Sequence, residues 1–107
     1  MTTVKTMRFR PGDAMDCRVL YEEKSTSESV DITGEIVVMT IIADHVDDIV
    51  LTDGDGLTID YAEGHIDVYL TAAQTTLLNN RKNRHYELRL TVSDKTILTG
   101  RMEEELS

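Results

Sequence analysis

"LTDGDGLTID", residues 51–60, is the stretch on which the fold turns. Asp53, Gly54, Asp55 and Gly56 offer either oxygen ligands for a calcium loop or the backbone freedom of a tight turn between strands. An EF-hand loop takes ligands at positions 1, 3 and 5, glycine at 6 and a bidentate Glu at 12, between two helices. Counted from Asp53, positions 5, 6 and 12 fall on Leu57, Thr58 and Gly64. Counted from Asp47 or Asp48, the apolar Ile49 or Val50 takes a ligand position. The flanks read as strands, with Leu57, Ile59 and Tyr61 alternating after the glycines. Asp53–Gly56 is therefore expected to be a hairpin connection. A looser cation site, with Asp47 or Asp48 reaching towards Asp53 and Asp55, is the alternative chemistry.

Outward from this stretch the period-two signal continues. Cys17, Val19 and Tyr21 share one face of a strand that follows the turn Pro11–Asp13. "GEIVVMTIIA", residues 34–43, is β-branched and apolar on both faces, which predicts a central strand covered on two sides. Ile49–Leu51, then Ile66, Val68 and Leu70, make two further strands. Tyr86, Leu88, Leu90 and Val92 share one face of the next, and Ile97–Met102 forms the last. The polar run "EEKSTSES", residues 22–29, reads as a mobile surface loop.

One segment departs from the pattern. In "TAAQTTLLNN", Thr71 and Gln74 have the spacing of a capping box, which predicts a short helix over about 71–79, closed by Asn79 and Asn80. Seven or eight short strands with one helical turn predict an all-β fold, an immunoglobulin-like antiparallel β-sandwich.

The 107 residues suit a single domain over 1–107, with a core that buries roughly two-thirds of the unfolded surface. Twenty acidic against 11 basic side chains give a net charge of −9, so neither nucleic acid nor an anionic membrane is expected as a partner. The single Cys17 forms no internal disulfide and no thiolate zinc site. "MTTVKTMRFR" lacks the apolar run of a signal peptide.

Taken in order, "FRPGDAMDCRVLY", "VDITGEIVVMTI", "GHIDVYLTAAQTTLL", "HYELRLTV" and "ILTGRMEEE" carry a resemblance covering roughly residues 8–104. Together they resemble a family of small phage and prophage structural proteins, similar to the N-terminal domain of phage baseplate upper proteins. Gly12 and Asp13 match that family's early turn, Asp31 to Gly34 its "D-L-T-G" turn, and Thr71, Thr75 and Leu78 its helix. Glu35 stands where many relatives have an aromatic residue, and "NNRKNR" replaces a glycine-containing approach to Tyr86. The resemblance implies an immunoglobulin-like sandwich serving as a non-catalytic tail or baseplate part. It implies other phage structural proteins, or copies of itself, as partners, and synthesis in the host cytoplasm before entry into the virion. No catalytic, cofactor or metal residue is carried over, and no cofactor is expected.

Single residues are read accordingly. His45, His65 and His85 are evenly spaced but lack the short spacings of zinc motifs. Cys17 reads as a small buried side chain rather than a nucleophile. Ser25, Thr26, Ser27 and Ser29 have no base in view. Arg81–Arg84, "RKNR", reads as a solvated loop or as a basic knob for an acidic surface such as Asp44–Asp48 of a neighbour. The competing function is a calcium- or carbohydrate-binding module on the same sandwich. The absence of Trp and the five aromatic residues weigh against sugar stacking.

Overall fold

The computed structural model describes residues 3–4, 6–21 and 30–104. The loop expected at 22–29, with its serines, lies outside the described residues. Strands dominate: β1 (Thr3–Val4), β2 (Met7–Phe9), β3 (Met15–Leu20), β4 (Val37–Ile42), β5 (Ile49–Asp53), β6 (Gly56–Asp60) and β7 (His65–Leu70) precede the helix α1 (Ala72–Leu77). Strands β8 (His85–Leu90) and β9 (Lys95–Glu104) follow it. The fold is all-β with one short helix, as the alternation predicts.

The strands join in the order β1-β9-β8-β4-β5-β6-β7-β3, with β2 also on β9. Not every pairing is antiparallel, which corrects the expected pattern. β1 and β2 run parallel to β9, and β5 runs parallel to β6. The last pairing overturns the hairpin reading of "LTDGDGLTID". Thr52 and Asp55 exchange backbone hydrogen bonds of 3.0 and 2.9 Å, so the chain first reverses over Asp53–Gly54. Gly54 N–H then bonds Leu57 O at 2.8 Å, and Gly56, at φ 96°, turns the chain again. Two reversals restore the original direction, so Thr52 pairs with Gly56 and Asp53 with Leu57 in parallel register. A Cβ on Gly56 would lie 2.5 Å from Leu51 Cδ2, so the second turn needs glycine for space as well as for φ. This double turn carries the chain from the run β9-β8-β4-β5 into the run β6-β7-β3.

Both runs face one core. Val37, Met39 and Ile41 of β4, Leu57 of β6, Ile66, Val68 and Leu70 of β7, and Tyr86 and Leu88 of β8 are all buried in a single cluster. The period-two faces therefore hold in most strands. In β4 only one face is buried. Val38, Thr40 and Ile42 on the other are half-exposed, a correction to the expectation of two covered faces. Val92 also departs, because β8 ends at Leu90 and Thr91 donates from both its N–H and its hydroxyl to Ile36 O. Val92 is left in the following turn, 64% exposed. In β9 the pairing skips Ile97 between Leu98 and Thr96, a bulge that lets Ile97 and Leu98 both be buried although adjacent.

The helix begins as its sequence requires. Thr71 Oγ1 accepts from Gln74 N–H at 3.2 Å, and Gln74 Oε1 accepts from Thr71 N–H at 2.9 Å. Thr75, fully buried, ties the helix to the early turn. Its hydroxyl accepts from Gly12 N–H at 3.1 Å and donates to Asp13 O at 2.9 Å.

Candidate functional site

The segment after α1 builds the most distinctive surface. Leu78 caps the helix and is itself buried. Asn80 and Asn83 then take φ of 58°, the left-handed conformation that Asn tolerates and that glycine would otherwise supply. These two asparagines turn the chain to bring Arg84 inward. Its guanidinium lies 5.2 Å from the Phe9 ring centroid and donates to Leu78 O, Met102 O and Glu104 Oε1 at 3.0, 3.0 and 2.8 Å. Glu104 also accepts from Asn80 N–H at 2.8 Å. That backbone bond, followed by Arg84, holds the Glu104 carboxyl below the usual carboxylate range.

"RKNR" is therefore not a uniform basic knob. Arg84 is a structural cation that ties helix end, β2 and β9 together. Lys82 O accepts from Asp44 N–H at 3.0 Å, and Asn83 Nδ2 donates to Asp44 Oδ2 at 2.8 Å. The basic loop and the start of the acidic turn thus meet within one molecule.

Beyond Arg84 lies an open groove of about 780 Å³, lined by Arg81, Lys82, Arg84, His85, Arg101 and Glu103. Four of the chain's eleven basic residues are gathered there. β8–β9 pairing sets His85 directly opposite Arg101. Arg81 Nε reaches Leu77 O at 3.4 Å, and His85 Nδ1 lies 2.8 Å from Asn83 O. Lys82 and Arg101 have no ion-pair partner among the described residues. On a protein of net charge −9 this groove gathers donors of the kind that make charge-assisted hydrogen bonds to carboxylates. "RKNR" pointed to it in the sequence. Arg101 and His85 were not legible as part of it, because only the β8–β9 register brings them alongside.

The other candidates are scattered. Asp53 Oδ2 accepts from the Tyr61 hydroxyl at 2.9 Å, and burial, then Asp53, raises the Tyr61 phenol. No three His, Cys, Asp or Glu side chains converge as a metal site among the described residues. His45 occupies the turn after β4 at φ 64°, His65 opens β7 opposite Leu20, and His85 opens β8. Cys17 is half-buried at the margin of the core, its Sγ 3.8 Å from Met7 Sδ. In the "D-I-T-G" turn, Asp31 Oδ1 accepts from Thr33 Oγ1 and N–H at 2.6 and 2.8 Å, which lowers the Asp31 carboxyl. Glu35, the departure from the resembled pattern, accepts from Ser93 N–H and hydroxyl and so fastens the β8–β9 turn.

No protein-family model matches the chain, and no curated protein matches it.

Proposed function

We propose that this chain is a non-catalytic structural protein of a phage or prophage, an immunoglobulin-like sandwich of the tail or baseplate that works through protein–protein contacts. The observation that carries the reading is the cation-lined groove at 81–85 and 101–103 on a protein of net charge −9. A local concentration of charge of this kind steers encounter and sets register with a complementary partner. The partner's matching element is an acidic segment. The phage setting draws its support from the ordered motifs. Two of these, Gly12–Asp13 and Thr75, are joined by hydrogen bonds, which gives their co-occurrence a physical reason.

Affinity capture from a lysate of phage-infected cells tests the proposal, with Arg81, Lys82 and Arg101 all changed to Glu as the comparison. Arg84 is left intact because it holds the fold. Tail or baseplate proteins retained by the natural chain and lost by the triple variant are the expected result. Capture of no virion protein, or capture indifferent to the variant, would contradict it.

A further inference from the structure

The end of the strand order offers a second surface. β3 pairs with β7 along its whole length, Met15 opposite Leu70 to Leu20 opposite His65, and with no other strand among the described residues. The direction of its remaining backbone groups follows from one bond. Tyr21 N–H donates to Gly64 O at 2.9 Å, continuing that register, so the odd-numbered residues of β3 turn their N–H and C=O towards β7. The N–H and C=O of Asp16, Arg18 and Leu20 therefore point to the open edge. The side chains of these same three residues lie on the exposed face.

We infer that β3 pairs antiparallel with β3 of a second copy about a two-fold axis through Cys17. Charge selects the register. A two-fold axis normal to the sheet keeps each face on its own side, so the axis passes through a residue, and three central positions are open. Centred on Arg18 it sets Arg18 against Arg18, and centred on Asp16 it sets Asp16 against Asp16; both oppose like charges. Centred on Cys17 it sets Asp16 of each copy opposite Arg18 of the other, twice. It also places the half-exposed Leu20 opposite the exposed Ala14. In all three registers the residues whose backbone groups face outward oppose one another, so the hydrogen-bond pattern permits each and charge alone selects.

Charges on an edge strand commonly deter pairing. Here their alternation in sign makes the edge self-complementary, which is what a closed two-fold contact demands. Arg18 already holds Asp67 of β7 at 2.7 and 3.1 Å, and Asp67 is lowered by it. In the pair, the guanidinium would lie between Asp67 and the other copy's Asp16.

The inference deepens the reading of an assembly protein, naming a second copy as one partner, but it uses a surface other than the groove. The test uses the full chain and two variants, Asp16→Arg and Arg18→Asp, each checked for an unchanged circular dichroism spectrum. In sedimentation across micromolar to millimolar concentration, the natural chain forms a dimer, and each variant alone weakens it about tenfold or more. An equimolar mixture of the two recovers it, because both cross-strand pairs of the mixed dimer again set a guanidinium against a carboxylate. Hydrogen exchange on the natural chain gives a readout independent of substitution. With rising concentration the amides of Asp16, Arg18 and Leu20 gain protection, while those of Cys17 and Val19 do not change. A natural chain monomeric at millimolar concentration, variants that dimerise undiminished, or a mixture that fails to recover would each overturn the pairing. A monomeric chain that still captures virion proteins through the groove would separate this failure from failure of the assembly reading.

Discussion

Gly64 shows how tightly a single residue is held. Its φ is 66°, and a Cβ there would lie 2.5 Å from Val30 O and 3.0 Å from Tyr21 O, both backbone atoms. Gly64→Ala combines left-handed strain with a clash that no side-chain rotation relieves, and should cost about 2 kcal/mol or more. Gly12→Ala also sits at positive φ but meets nothing within 4 Å, so it should cost less. Urea unfolding of the two variants checks the order, and equal losses would contradict it. Tyr86 makes the second prediction at this scale. Burial, then the nearby Cys17, pushes its phenol up to about 12. In the unfolded chain it ionises at about 10. A raised acid keeps its full stabilising contribution below the unfolded value, so stability is expected to fall as pH rises from about 10 towards 12. Phenolate absorbance should show one tyrosine titrating together with unfolding, and Tyr86→Phe should remove that alkaline loss. All four phenols titrating alike without unfolding would contradict it.

Elements were legible wherever local chemistry decided them. The capping box at Thr71 and Gln74 forms as spaced, and Thr71→Ala should lower stability by about 1 kcal/mol in thermal or denaturant melts. Thr75→Val keeps the volume but leaves Gly12 N–H and Asp13 O without their hydroxyl partner, a loss of about 1–3 kcal/mol. A Thr75→Val variant as stable as the natural chain would show that the helix and the early turn are not coupled. The alternating faces of β3, β7 and β8 were equally plain. What escaped the sequence was non-local. β1 and β2 are too short for two or three residues to show a period, and they exist because β9 offers them a parallel edge. The bulge at Ile97 is invisible until β8 and β9 are in register. The double turn at Asp53–Gly56 carries hairpin chemistry, yet its two positive-φ glycines, Gly54 and Gly56, reverse the chain twice. A count of turn residues cannot tell one reversal from two.

At the scale of the molecule, the charged side chains divide between ion pairs within the fold and the groove. Some of the ionic side chains serve the fold: Arg84 with Glu104, Arg18 with Asp67 and Arg89 with Asp94. Arg81, Lys82 and Arg101 remain at the groove, within a protein carrying 20 acidic residues. The sequence showed the basic run but not that Arg84 leaves it for the interior, nor that Arg101 joins from across the sheet. We propose that this groove receives an acidic segment of a partner. Titration of the 15N-labelled chain with an oligoglutamate peptide is the decisive experiment. Amide shifts confined to residues 81–85 and 101–103, weakening as salt is raised, are predicted. Shifts that are absent, that map elsewhere, or that persist undiminished in high salt would contradict the claim.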